Sequence, residues 1–276
     1  MHLAGQAGIH ECLPYGKREG HPSGHYMRHV KDKLPTATYQ GQLYNLEAPA
    51  FAPADSGPMR GVHKLTCCLP HEVMDADSSD GASLKLDEAI ESGGLPPCYW
   101  GHPIVQQRVE GEPLPQPCAL YLDGVSYSNV DTVIGFWAIN IVTEARFLVV
   151  ALRKKLLCRC GCRGWCTLFS VFELLRWSFN AAAEGVYPTL DHQGKPWRDE
   201  RRSALASKSM RSRYVLLFIK GDWSEYAGTL GFPAWNDGFR PCFACNAAHY
   251  NIKASVQLTV VALNGLFRRV FLPAFD

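Results

Sequence analysis

Residues 119–124 (ALYLDG) form a short apolar run that stops at a turn, a pattern typical of a β-strand. Two further runs, rich in β-branched and aromatic residues, follow at 132–142 and 145–152 and predict two more strands. Residues 214–219 (YVLLFI) predict a strand of the buried type. Strands are therefore expected on both sides of the cysteine-rich middle of the chain.

A helix is predicted between the third and the fourth of these strands. It carries one apolar face and ends near Gly185 and Pro188; the apolar positions at helical spacing are Leu168, Val171, Phe172, Leu175 and Phe179. The order strand, strand, strand, helix, strand predicts an α/β chain. Because such crossovers are right-handed, the fourth strand is expected to return beside the first.

Two aspartates follow apolar strands, Asp123 after the first and Asp222 after the fourth. If those strands are neighbours, both carboxylates lie at one end of the sheet, close enough to share a divalent ion. Mg²⁺ held there could activate water and stabilise the leaving oxygen of a phosphodiester. The alternative is a turn residue, because an Asp before or after Gly often bonds its local backbone.

Four motifs carry a resemblance to a known family: residues 120–124 (LYLDG), 219–223 (IKGDW), 226–228 (YAG) and 242–246 (CFACN). Together they resemble the N-terminal part of an RNase H-like DDE transposase core of the CACTA (En/Spm) type. The chain is also similar to repetitive protist open reading frames that contain the run CRCGCRGWC, which carry no function to transfer.

The transposase resemblance implies a partial RNase H-like mixed sheet (β-β-β-α-β) within a half-core at residues 117–250. It further implies Mg²⁺-dependent DNA phosphodiester hydrolysis or strand transfer by Asp123 and Asp222, DNA as partner, and a nuclear location. The third acid of a DDE core is missing, because after Asp237 the only acid is Asp276. Truncation is the preferred explanation; Glu225 as a substitute, or lost activity, are the others.

Cysteines and one histidine are spaced like metal ligands. The first cluster has the pattern C-x-C-x-C-x3-C and consists of Cys158, Cys160, Cys162 and Cys166. A second set, Cys242, Cys245 and His249, gives C-x-x-C with a histidine after it. Four thiolates suit a structural, tetrahedral Zn²⁺ site. Reduced thiols buried as small apolar side chains, or a dithiol redox motif at C-x-x-C, remain alternatives.

A basic stretch lies between the helix and the last strand. It could follow a nucleic-acid phosphate backbone, and its cations are Arg198, Arg201, Arg202, Lys208, Arg211 and Arg213. A solvated crossover loop is the alternative. The formal net charge of the 276-residue chain is only +2, so nucleic-acid binding must rest on such a local patch.

Composition bounds the remaining possibilities. Eleven cysteines, an odd number at tight spacing, favour a reduced intracellular protein over a disulfide framework. Glu144 and Arg146 interrupt the most apolar stretch, so no membrane association is expected. Residues 1–95 are expected to be a weakly structured region and linker, and 251–276 a C-terminal tail. The function expected is transposase-derived, inactive or incomplete; the alternative is a non-catalytic zinc-binding interaction module.

Overall fold

The computed structural model describes residues 43–52, 59–78, 80–128 and 131–233. Within these ranges the strands are β1 Tyr44–Ala52, β2 Met59–Cys67, β3 Gln116–Ser128, β4 Asp131–Asn140, β5 Arg146–Arg153 and β6 Tyr214–Gly221. The helices are α1 Pro70–Asp77, α2 Asp80–Glu91, α3 Pro97–Trp100, α4 Pro103–Gln106, α5 Trp165–Glu184, α6 Glu200–Leu205 and α7 Trp223–Gly228. The protein is an α/β protein.

The six strands form one mixed sheet in the order β1-β2-β5-β4-β3-β6. β3, β4 and β5 pair antiparallel in succession, and β6 lies parallel to β3. The three strands, the helix and the returning fourth strand predicted from the apolar runs are therefore confirmed as elements.

The core lies between the sheet and α5. Leu122 of β3 is opposite Phe136 of β4, and the Phe136 ring meets Phe172 of α5 edge to face at 5.8 Å between centroids. The helix ends where predicted, at Gly185, whose φ of 72° is a conformation that glycine adopts without strain. The 3.6-residue periodicity of the α5 sequence thus buries one face of the helix on the sheet.

β6 is covered on both faces. Leu216 pairs with Cys118 on the face that also carries Leu120, whereas Val215 and Leu217 pack into a cluster with Tyr99 of α3 and other apolar residues from α2 to α4. Burial on both faces explains why the β6 sequence is an unbroken apolar run rather than an alternating one.

The expectation of a weakly structured region and linker over 1–95 is wrong for the described residues 44–52, 59–77 and 80–91. β1 and β2 pair along their whole length, and α2 occupies most of the acidic segment that had been assigned to a linker. The burial of β1 alternates regularly, but its buried positions include small alanines and its centre holds Pro49, which weakens the sequence signal. Proline is accommodated there because β1 is an edge strand.

Residues 1–42 and the predicted C-terminal tail at 251–276 lie outside the described residues. Among the helices that the structure does describe, none has both the length and the apolar character needed to cross a bilayer.

Candidate functional site

The first cysteine cluster lies in the loop between β5 and α5, residues 157–166, called here the cysteine loop. The Sγ atoms of Cys158, Cys160, Cys162 and Cys166 all lie within 4.8 Å of one another, and those of Cys160 and Cys166 are 3.7 Å apart. Sulfur atoms around a tetrahedral zinc, each about 2.3 Å from the metal, are about 3.8 Å apart. The four thiols can therefore hold a metal ion with small adjustments, and their number and type suit zinc.

The cysteine loop takes its shape from glycine and from one threonine. Gly161 and Gly164 have φ values of 91° and 88°, in the region that favours glycine. Thr167 accepts a hydrogen bond from the backbone N–H of Cys158 at 3.0 Å, and its hydroxyl donates to the carbonyl of Pro49. These bonds fix the first ligand to the start of α5 and to the edge strand β1.

Arg60 supplies the nearest positive charge. Its Nε donates to the Sγ of Cys158 at 3.2 Å across 98 residues of chain. Burial raises the pKa of Cys158, but the hydrogen bond from Arg60 and those from Cys160 outweigh it, so the pKa lies below its ordinary value. Sequence reasoning missed Arg60 because it falls in the region assigned to weak structure, and an isolated arginine gives no local signal.

The thiols of the cysteine loop differ in how readily they lose a proton. The backbone N–H of Cys166, followed by other hydrogen bonds, lowers the pKa of Cys162 to about 6 against the opposing effect of burial. The side chain of Cys162, followed by that of Cys160, raises the pKa of Cys166 to about 11. The thiols with a lowered pKa are stabilised as thiolates by hydrogen bonds from their neighbours in the cluster. A metal ion that binds all four sulfur atoms would displace the protons of the remaining thiols.

The prediction that the first strand stops at a turn at Asp123 and Gly124 is wrong, because β3 continues through both residues to Ser128 by pairing with β4. Of the two aspartates, only Asp222 directly follows its strand, β6. In the parallel pairing Leu122 lies opposite Gly221, so Asp123 within β3 and Asp222 just past β6 come next on neighbouring segments. Both charges act on Tyr121: its pKa is raised by burial, then by the charge of Asp123 and a hydrogen bond to it, and then by the charge of Asp222. We call Asp123 and Asp222 the acidic pair.

Asp222 also has a local role. Its carboxylate accepts the backbone N–H of Glu225 at 2.7 Å and caps α7, which is the alternative weighed for it from sequence. A capping carboxylate has a second oxygen, and its negative charge at a helix N-terminus is favoured. Capping therefore holds the Asp222 side chain in place beside β3.

Glu225, the proposed substitute for the third acid, lies on the other side of β3. A Cβ built on Gly124 would come within 2.2 Å of the Glu225 Oε1 atom, so this carboxylate packs directly on Gly124. Successive residues of a strand face opposite sides, and Asp123 therefore faces away from Glu225. Lys154 donates to Glu225 at 3.3 Å and Thr229 donates to it as well. These contacts disfavour Glu225 as a third ligand.

The predicted basic stretch does not form one surface. Arg202 is buried at 7% exposure, and its guanidinium meets the Glu72 carboxylate through two bonds of 2.6 and 3.1 Å. Arg213 donates to the carbonyl of Ala183 and to Glu112. Arg202 is thereby removed from any phosphate-binding role, because its charge is used inside the fold. The cations of the stretch that remain exposed are Arg198, Arg201, Lys208 and Arg211.

The second predicted ligand set, Cys242, Cys245 and His249, lies outside the described residues. Comparison with protein-family models, with curated proteins and with solved structures finds no match for this chain. Its function must therefore be inferred from the geometry of its own residues.

Proposed function

We propose that this chain derives from a DDE-type transposase and contains an RNase H-like half-core that binds DNA and a divalent ion. The observation that carries the proposal is the parallel pairing of β3 with β6. It supports a β-β-β-α-β unit in which the chain order β3, β4, β5, α5, β6 gives the sheet order β5-β4-β3-β6. The two acids of the resemblance then follow the paired residues Leu122 and Gly221, with Asp123 inside β3 and Asp222 directly after β6.

Mg²⁺ would be held by the acidic pair, because hard divalent cations prefer carboxylate oxygens. When bound, such an ion supplies activation of water and stabilisation of a leaving phosphodiester oxygen. The residues of the chain itself orient the ligands: Tyr121 bonds to Asp123, and the first turn of α7 holds Asp222. Two carboxylates, with no third ligand assigned among the described residues, support weak binding and incomplete catalysis.

Manganese binding tests the acidic pair directly. Electron paramagnetic resonance of added Mn²⁺ should show a weak site that is lost in Asp123→Asn. Asp87→Asn, which changes an exposed acid of α2, is the matched control and should leave the site intact. Equal Mn²⁺ binding by the Asp123→Asn variant and the wild type would exclude the acidic pair as a metal site.

Cleavage tests the transposase ancestry. Nicking of supercoiled DNA is expected to be slow, to require Mg²⁺ or Mn²⁺, and to disappear in Asp123→Asn. Robust cutting by that variant would show that the activity comes from elsewhere in the chain or from a contaminating nuclease.

A second candidate function rests on the cysteine loop. Four clustered thiols support a zinc-binding interaction module without catalytic activity. Elemental analysis should find about one zinc per chain at this site, and Cys160→Ser should lose it while Cys98→Ser, outside the cluster, should not. Zinc binding together with the absence of both Mn²⁺ binding and nicking would favour the module over the nuclease ancestry.

A further inference from the structure

A groove of about 400 Å³ opens between the cysteine loop and the end of α7. Its walls include three basic side chains, those of Lys154, Arg159 and Arg163, together with Gly161 and the turn at Thr229. Arg159 and Arg163 are exposed, and the lining contains no carboxylate. We call this feature the basic groove.

The groove remains positive after its neighbours are counted. Residues 153–163 carry five cations and no acid, and Arg60 adds a sixth charge beside Cys158. Three sources of negative charge oppose these cations. Asp131 pairs with Arg153 and Lys155, and the buried Glu225 pairs with Lys154. A four-thiolate zinc site would add a double negative charge. Arg159 and Arg163 carry the exposed positive charge that remains, since neither has a carboxylate partner among the described residues.

The groove lies on the face of β3 that carries Glu225, because its walls include Lys154 and Thr229, which both bond to Glu225. The Asp123 side chain faces the other side of the sheet, so strand direction and α7 relate the groove to the acidic pair.

The cysteine loop follows the carboxyl end of β5, which pairs antiparallel to β4, and β4 pairs antiparallel to β3. β3, β5 and β6 therefore run in the same direction, and β6 ends opposite Leu122 while β5 ends at the level of Val125. Asp222 caps the N-terminus of α7, and the other end of α7, at Gly228, lies in the groove wall. One short helix therefore connects Asp222 to the groove.

We propose that the basic groove binds the phosphodiester backbone of nucleic acid, with Arg159 and Arg163 contacting successive phosphates. This rests on the proposed function, whose DNA partner it locates. Guanidinium groups suit phosphate because they present paired N–H donors. Trp165, next to Gly164, is 44% exposed and offers a ring on which an unpaired base can stack. The combination of a positive groove and an exposed aromatic ring favours single strands over duplex.

Fluorescence anisotropy with a labelled DNA strand, at several salt concentrations and without divalent ions, tests the assignment. Arg159→Ala with Arg163→Ala should weaken binding and should reduce the slope of log K against log salt by about 1.4, the loss of two single-strand phosphate contacts. Arg159→Lys with Arg163→Lys should retain most of the slope, because the charge is kept. Lys85→Ala with Lys195→Ala removes two exposed charges elsewhere and should change neither quantity.

Three outcomes overturn the proposal: an unchanged slope in the groove variant, an equal loss in the Lys85 and Lys195 control, or a loss found instead in Arg198→Ala with Arg201→Ala. A duplex of the same sequence should bind more weakly, and Trp165→Ala should reduce that difference. Stronger duplex binding would overturn the stacking assignment. Zinc content of each variant verifies that the cysteine loop is intact. Because the anisotropy is measured without divalent ions, DNA binding by the groove is read independently of Mn²⁺ binding and nicking, so failure of the metal site and failure of the groove are distinguishable.

Discussion

At the scale of single residues, Arg202 is the most informative side chain, because the sequence predicts it in a DNA-binding stretch and the structure buries it. Arg202 is buried with Glu72, and its guanidinium also lies over the rings of Tyr44 and Trp197 at 5.4 and 5.6 Å. It therefore joins α6 to α1 and β1. A charge run in the sequence gives no indication of which of its members turns inward, because that depends on an acid 130 residues away.

Arg202→Ala should destabilise the protein by about 3–5 kcal/mol, because it leaves the Glu72 carboxylate buried without its guanidinium. Denaturant unfolding measures the change. The neighbouring exposed Arg201→Ala should stay within about 0.5 kcal/mol of the wild type. Replacing both Glu72 and Arg202 by methionine should recover most of the loss. Similar losses from Arg201→Ala and Arg202→Ala would contradict the structural role.

Two cysteines four residues apart should differ in reactivity once metal is removed. The thiolate is the nucleophile, and it predominates above the pKa of the thiol. With pKa values of about 6 for Cys162 and about 11 for Cys166, iodoacetamide at pH 7 should modify Cys162 first. The Cys162 rate should fall as the pH drops through about 6.

Mass spectrometry of tryptic peptides after timed alkylation measures both rates in one sample, so that Cys166 serves as the internal control. Zinc added before the reagent should protect both residues. Faster modification of Cys166 would contradict the hydrogen-bond pattern of the cysteine loop.

At the scale of elements, the junction between the cysteine loop and α5 depends on one glycine. A Cβ at Gly164 would lie 2.9 Å from Cδ1 and 3.1 Å from Cβ of Leu157, and its φ is +88°. Gly161 has a similar φ of +91° but nothing within 4 Å of a built Cβ. Alanine substitutions at the two glycines therefore distinguish the cost of backbone strain from the cost of steric crowding.

Gly161→Ala should cost about 1–2 kcal/mol from the left-handed backbone alone. Gly164→Ala should add about 1–3 kcal/mol from overpacking against Leu157, and should lower zinc content because the start of α5 must shift. Thermal unfolding and elemental analysis measure the two effects. Full zinc content in Gly164→Ala, with the same stability as Gly161→Ala, would show that the contact with Leu157 is easily relieved.

The elements predicted from sequence are those whose side chains carry a strong period. β3 to β6 and α5 were found because long apolar side chains mark them, and the cysteine spacing located the thiol cluster. β1 and β2 were missed because alanine, glycine and proline hide their alternation. The side of the sheet taken by Glu225, the pairing of Arg202 and the contact of Arg60 could not be predicted, since each depends on long-range packing that no local pattern encodes.

At the scale of the whole molecule, the sheet has two parts that differ in how extensively their strands pair. β3, β4, β5 and β6 pair over long registers, whereas β2 pairs with β5 only at Cys67 and Val150, beside one further bond from Cys68. The other end of the β1–β2 hairpin meets the cysteine loop through Arg60 and Cys158 and through the bridge between Ala50 and Leu157. Metal in the loop would therefore anchor the hairpin.

Removing zinc with a chelator should loosen this hairpin before the rest of the sheet. Amide hydrogen exchange should speed up in the cysteine loop and at the Arg60 end of β2, while β4, paired on both sides, keeps its protection. The hairpin should not detach completely, because Leu46, Ala48 and Ala50 of β1 remain buried. Cys160→Ser should show the loosened pattern without chelator, and zinc should restore protection only in the wild type. Exchange that rises equally in β2 and β4 would mean that metal stabilises the fold as a whole, with no special connection to the hairpin.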